Sequence, residues 1–213
     1  MQGAGDPELG TGVARAGSPV KKTRAKPGGE VRVIAGEWRS RRIAFPDAPG
    51  LRPTPDRVRE TLFNWLGHDL DGFRCLDLYA GSGALGFEAH SRGASQVVMV
   101  ESNPVVVRAL EANAALFSAS RMKIVRADAL EFLRRDTLAG TMGGGRFDVV
   151  FLDPPFDQGV PDKVLSLLPP LLATGGLIYM EVGAKALLPH SWKTEKQGRA
   201  GQVHFQLMRW EPL

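Results

Sequence analysis

Two kinds of stretch in this chain could do chemistry, and the first is "FLDPPF", Phe151 to Phe156. An apolar run ends there in Asp153, then Pro154, Pro155 and an aromatic ring. Two prolines fix two φ angles and remove two backbone donors, which leaves a stiff run of carbonyl acceptors beside one carboxylate. Such a cluster suits an exocyclic amine on a heteroaromatic ring. The lone pair of that amine is delocalised into the ring and is a poor nucleophile. Acceptors that hold both N–H groups favour a pyramidal nitrogen with its lone pair aimed at an electrophile. Phe156 can stack on the base that carries the amine once the base is flipped out. Asp153, Pro154, Pro155 and Phe156 are therefore the candidate catalytic residues. A proline-rich strand exit with no chemistry is the plainer alternative.

The second kind could hold a ligand. Gly81-Ser82-Gly83-Ala84-Leu85-Gly86 satisfies G-x-G-x-x-G, directly after an apolar run that ends near Asp77. Read literally, that is a dinucleotide-binding turn, which keeps a nicotinamide-dependent oxidoreductase open as a reading. Glycines there also permit a tight turn and close approach of a ligand to the backbone. Glu101 stands 20 residues beyond Gly81, where an acidic side chain can grip both hydroxyls of a ribose. Asp128, in "VRADALEF", ends a third apolar run and could meet an adenine edge, although Asp is also a common helix N-cap. The histidines, His68, His90, His190 and His204, are too widely spaced to form a metal-ligand pattern, so no metal is implied.

Parallel strands with helices on both faces would bring these residues to one edge. From residue 74 the chain alternates: "RCLDLYA", "SQVVMVE", "RMKIVRA", "FDVVFLD" and "GLIYMEV" read as strands. Helical stretches separate them, among them one at about 160–168. "SWKTEKQG" and "QVHFQLMRW" read as a hairpin that closes the sheet with an antiparallel edge. The expected fold is α/β, a doubly wound, mostly parallel, Rossmann-like sheet. A small N-terminal β-hairpin and helix precede it. In "EVRVIAGEWRSRRIAFP" two short strands flank a turn at Gly36, and Arg39, Arg41 and Arg42 give that hairpin a basic edge. In "LRPTPDRVRETLFNWLG" Thr54 suits an N-cap, Pro55 a first turn and Gly67 the stop. The expected boundaries are a disordered basic arm at 1–29, the hairpin and helix at 30–67 and the main domain at 68–213.

The net charge of +4 is unevenly spread: residues 1–60 hold 12 Lys/Arg against 7 Asp/Glu, and the rest 15 against 16. A basic N-terminal part suggests a polyanionic partner, most simply nucleic acid, though a solvated basic tail would look the same. No apolar run reaches the roughly 18–20 residues of a membrane-spanning helix, and no secretory signal is visible. The lone cysteine, Cys75, excludes an intrachain disulfide and reads as a buried strand residue. A cytoplasmic protein is expected, and nothing demands more than a monomer.

These motifs together resemble the class I S-adenosylmethionine-dependent methyltransferases: "LDLYAGSGALG" is similar to their first motif, "VES" to their acidic ribose motif and "DPPF" to their amino-methyltransferase signature. That resemblance covers about residues 74–182. With "RVIAGEWRSRRI", "RPTPDRVRETLFNWL" and "LDLYAGSGALGFEAHSRGA" the chain resembles the bacterial RsmD family over about residues 31–210. That family methylates N2 of a guanine in 16S ribosomal RNA. The resemblance implies S-adenosylmethionine as cofactor, with Gly81, Ser82, Gly83 and Asp77 at its methionine portion. Glu101 would hold its ribose, and Asp128 and Ala129 its adenine. It implies a target-base pocket at Asp153, Pro154, Pro155 and Phe156. Arg52, Thr54, Arg57 and Arg59 would stand near the cofactor mouth and the RNA, with Arg59 able instead to pair with a carboxylate. The partner would be 16S rRNA, in a partly or fully assembled small subunit. Gly86 is expected to pack a helix rather than touch a ligand. "DPPF" is shared with DNA adenine-N6 methyltransferases, which remain an alternative, and a non-catalytic RNA-binding module is a third.

Overall fold

The computed structural model describes residues 27–139, 145–155, 162–182 and 191–211. Strand β1 (Pro27–Arg32) pairs antiparallel with β2 (Arg42–Pro46) as a small sheet of its own, and helix α1 (Asp56–Leu66) follows. Strands and helices then alternate: β3 (Arg74–Asp77), α2 (Ala84–Ser91), β4 (Gln96–Glu101), α3 (Pro104–Leu116) and β5 (Met122–Arg126). After α4 (Ala129–Ala139), β6 (Phe147–Leu152) and α5 (Asp162–Leu167), the chain ends in β7 (Leu172–Val182), β8 (Trp192–Ala200) and β9 (Val203–Trp210). The seven-stranded sheet has the order β5-β4-β3-β6-β7-β9-β8, parallel from β5 to β7 and antiparallel at β9 and β8. The expected doubly wound sheet with an antiparallel edge hairpin is therefore present. Its order reverses between β3 and β6, and a crevice opens at the carboxyl ends of strands at such a switch point.

Runs such as Val97–Val100 and Val149–Leu152 are buried throughout, as strands covered on both faces must be. Alternate residues serve opposite faces. Cys75, Val97, Met99, Val149, Phe151 and Tyr179 pack with side chains of α1, α2 and α3. Leu76, Val98, Val150, Leu152, Ile178 and Met180 pack with α4 and α5. Counting on by two along β3, β6 and β7 brings Asp77, Asp153 and Glu181 to the first of these faces, at its carboxyl edge.

The N-terminal elements share that first core rather than forming one of their own, through Val31, Val33, Trp38, Ile43, Val58, Leu62 and Phe63. Phe63 meets Phe151 of β6 at 6.1 Å between ring centroids, and Trp65 meets Phe205 of β9 at 5.4 Å, so α1 lies across the sheet. Glu88 of α2 ties the hairpin down: it accepts from the Ile34 amide at 2.7 Å and the Ala35 amide at 3.0 Å, and bridges Arg59 and Arg92.

Two expectations at α1 are corrected by this packing. Arg59 does not face RNA: it is 0% exposed. Its guanidinium is bonded to the carbonyls of Thr54 and Arg32 and to the carboxylates of Asp56 and Glu88. An unpaired guanidinium in this core would be costly, and these acceptors take four of its five N–H donors. Thr54 does not cap α1, which starts from Pro55, because the threonine hydroxyl is engaged across the crevice. Gly67 ends the helix as expected, with φ of +104°. Strand β1 begins at Pro27, inside the expected arm; residues 1–26 lie outside the described residues.

Candidate functional site

A cavity of about 570 Å³ opens at the carboxyl ends of β3, β4 and β6. Its walls come from the glycine turn, the strand ends and the segment 48–55 that leads into α1. Asp153 stands in it immediately after β6, and its Oδ2 accepts from the Thr54 hydroxyl at 3.0 Å. Thr54 is itself buried and reaches Asp153 because Phe63 and Arg59 hold α1 against β6. Pro154 and Pro155 line the same cavity. Phe156 lies outside the described residues.

Glu181 was not singled out in the sequence, yet it belongs to this site. Leu152 pairs with Met180 in the parallel register of β6 and β7. The next step sets Asp153 beside Glu181 on strands about 4.8 Å apart. The Tyr179 hydroxyl donates to Glu181 Oε1 at 2.8 Å. Burial pushes the Glu181 carboxyl up to about 8, the Asp153 charge adds to the rise, and the hydroxyls of Tyr179 and Thr54 oppose it. Burial also lifts Asp153 to about 6, against the Thr54 bond. Asp77 is lifted to about 7 by burial and then by the charges of Asp153 and Glu101, against backbone donors at Gly86 and Tyr79. Among the described residues, no lysine or arginine offsets these three groups. A cavity so lined suits a ligand that brings a positive centre and N–H or O–H donors. The signal for Glu181 was present in "GLIYMEV", a carboxylate at the carboxyl end of an otherwise apolar strand.

The glycine turn is bonded to the protein's own oxygens. Gly81 N–H donates to Glu101 Oε2 at 3.1 Å, Gly83 N–H to the Ala80 carbonyl at 2.7 Å and Gly86 N–H to Asp77 Oδ2 at 3.1 Å. In a dinucleotide site such amides point at a pyrophosphate. Here two of the three are held by carboxylates, which would repel it, so the geometry disfavours the nicotinamide reading and fits the sulfonium cofactor that the resemblance implies. Gly83 has φ of +82°, and a Cβ on it would come within 2.8 Å of Leu110. A Cβ on Gly86 would come within 2.8 Å of the Met99 sulfur, so this third glycine seats α2 on β4, as expected. Ser82 is buried and lines the cavity.

Glu101 Oε1 also accepts from the Asn103 amide at 2.7 Å, which fixes the carboxylate at the end of β4. Asn103 in turn caps α3; it lines the cavity and was not foreseen. Asp128 is a cap, accepting from the amides of Leu130 and Glu131 at 2.9 and 3.1 Å, and it still lines the cavity together with Ala129.

The basic residues are dispersed. Arg52 is exposed on the cavity wall, and Arg57 is exposed on α1. Arg42 is paired with Glu30 at 3.2 Å, in a depression that shares Pro53, Thr54 and Pro55 with the cavity rim. Arg41 lies 3.8 Å over the Phe117 ring and donates to the Leu116 carbonyl. Arg39 lines a separate depression with Glu60, Asn64 and His68. Cys75 is buried in β3. Among the described residues, no helix is long and apolar enough to cross a membrane, and no three His, Cys, Asp or Glu side chains group as metal ligands.

A family model described as conserved hypothetical protein 95 matches residues 31–209. The chain is 39% identical over 197 residues to the ribosomal RNA small subunit methyltransferase D of Escherichia coli K12, covering 90% of this chain and 96% of that one. It is 40% identical over 185 residues to the protein of that name in Haemophilus influenzae, covering 84% and 93%. A solved Escherichia coli structure, yhhF, described as a candidate methyltransferase, superposes with a TM-score of 0.73 at 39% identity. That match covers 87% of this chain and all of the other.

Proposed function

Because the chain belongs to the conserved hypothetical protein 95 family, and because its cavity joins a glycine turn and acidic strand ends to Asp153-Pro154-Pro155, we propose that it transfers a methyl group from S-adenosylmethionine to small-subunit ribosomal RNA. The target is the exocyclic N2 amine of a guanine in 16S rRNA, presented by a partly or fully assembled subunit in the cytoplasm. The names of the relatives support the RNA class. The observation that carries the chemistry is Asp153, braced by Thr54 at the mouth of β6. An acceptor fixed there suits an amine that must be held with its lone pair directed.

Bound S-adenosylmethionine would supply an electrophilic methyl carbon, its sulfur departing as a neutral thioether. Glu101 has lone pairs left for the ribose hydroxyls after its two amide bonds. Asp128 and Ala129 would meet the adenine, and Gly81, Ser82, Gly83 and Asp77 the methionine portion. The Asp153 carboxylate and the Pro154 carbonyl would accept the two N–H bonds of the target amine, and Phe156, outside the described residues, would be the residue to stack on the base. Such orientation can supply about 7 kcal/mol or more of the barrier. The Asp153 carboxyl, lifted to about 6 by burial, is suited to take the proton that the nitrogen loses. Arg39, Arg41, Arg42, Arg52 and Arg57 would meet RNA phosphates, with the protein acting as a monomer.

The test offers the protein and radiolabelled S-adenosylmethionine to small-subunit RNA, to assembled subunits and to duplex DNA, then identifies the labelled nucleoside. N2-methylguanosine from RNA is expected. Label in N6-methyladenine from DNA would overturn the reading in favour of the adenine-N6 class.

A further inference from the structure

We infer that Glu181 reads the N1–H of the target guanine, beside Asp153, and so sets the choice of guanine over adenine; the inference rests on the reading of this site as a guanine-N2 methyltransferase. The Watson–Crick edge of guanine presents two neighbouring donors, N1–H and the N2 amine. Adenine presents a bare N1 acceptor next to its amine. An enzyme that only had to hold an amine would need one set of acceptors. This cavity has a second carboxylate in register with the first, on the adjoining strand and on the same face.

Glu181 is 2% exposed, and the mechanism above does not use it. The Tyr179 hydroxyl binds one of its oxygens and fixes the side chain, while the Thr54 hydroxyl braces Asp153. The carboxylate has further lone pairs to offer, and it lines the cavity with Asp153. Among the described residues, no lysine or arginine neutralises it. A buried carboxylate without a cation is costly to keep, and a directed N–H donor from a base is the kind of partner it lacks. With both carboxylates ionised, the two side-by-side acceptors match the donor–donor edge of guanine and oppose the acceptor at N1 of adenine. A site built to bond a donor rejects the analogue that lacks it more strongly than a merely apolar site could.

The experiment measures nucleoside binding by calorimetry to the protein saturated with S-adenosylhomocysteine, at pH 8.5, where the carboxylate is mostly ionised. Guanosine is compared with 2-aminopurine riboside, which keeps the 2-amine and lacks N1–H, in the native protein and in Glu181→Gln. The native protein should prefer guanosine by about tenfold or more. Glu181→Gln, whose amide can donate to a bare N1, should cut that preference to about threefold or less. The loss of O6 in the analogue is common to both proteins and cancels in the comparison. Equal preference in the two proteins would overturn the inference, and so would a native preference near one, which needs no variant to fold. Nucleoside analysis of methylated small-subunit RNA runs beside it. Absence of N2-methylguanosine there would sink the functional reading itself; its presence with an unchanged preference would sink the role of Glu181 alone.

Discussion

The Thr54 hydroxyl donates to Asp153 Oδ2 at 3.0 Å, across 99 residues of sequence. It joins the segment before α1 to the end of β6, so the N-terminal extension completes the site rather than merely sitting beside it. The carboxylate proposed to hold the target amine is bonded by a residue outside the parallel-sheet core.

Thr54→Val should therefore lower kcat by roughly tenfold, the equivalent of one hydrogen bond to a charged group, with little change in cofactor affinity. Thr54→Ser should restore most of the loss. The rate-versus-pH profile of the valine variant should also shift upward, because the Thr54 bond holds the Asp153 carboxyl down. Steady-state kinetics of methyl transfer across pH 5–9 check both points, and an unchanged kcat would remove Thr54 from the site.

Arg59→Ala should act on folding. Its guanidinium is wholly buried against Glu88 and Asp56, and removing one member of such a network costs about 3–5 kcal/mol. Urea unfolding should show that loss, whereas Arg57→Ala, on the exposed side of the same helix, should stay within about 0.5 kcal/mol of the native protein.

Glu101→Ala should weaken S-adenosylmethionine binding by roughly tenfold to a hundredfold, the range for charged hydrogen bonds, because the carboxylate also orders the Gly81 and Asn103 amides. Calorimetric titration measures it. Affinity within twofold of the native value would exclude Glu101 from the ribose site.

Glu181 makes the stability of the free protein depend on pH. Burial lifts its carboxyl to about 8. A raised carboxyl contributes stability that is fully present below its unfolded value of roughly 4.3 and is lost as pH rises through the folded value. The Tm of Glu181→Gln, minus that of the native protein, should therefore grow from pH 5 to pH 9. A difference that is flat across that range would contradict the raised value. Asp77, lifted chiefly by burial, contributes in the same direction to both proteins, whereas Asp153, whose charge raises Glu181, titrates together with it, so the difference reports the pair.

Much of this was legible because the signals are local. The strand-helix alternation, the antiparallel edge hairpin, the cap at Asp128 and the packing role of Gly86 each follow from a few neighbouring residues. What stayed hidden depends on how distant segments meet. Thr54 looks like a helix cap until α1 is seen lying across β6, and Arg59 could face RNA or pair with a carboxylate until Glu88 is found beneath it. Glu181 gains meaning only from the β6–β7 register, which no single stretch specifies. The glycine fingerprint misleads in a similar way: Glu101 and Asp77, which occupy its amides, lie 20 residues after and 4 residues before Gly81.

The central claim is that Asp153 holds the amine that receives the methyl group. Asp153→Ala tests it most directly, with radiolabelled methyl transfer to small-subunit RNA measured beside calorimetric binding of S-adenosylmethionine. The account predicts transfer reduced by about 100-fold or more, with cofactor affinity within about threefold of native. Turnover near the native rate, with the cofactor bound, would contradict it.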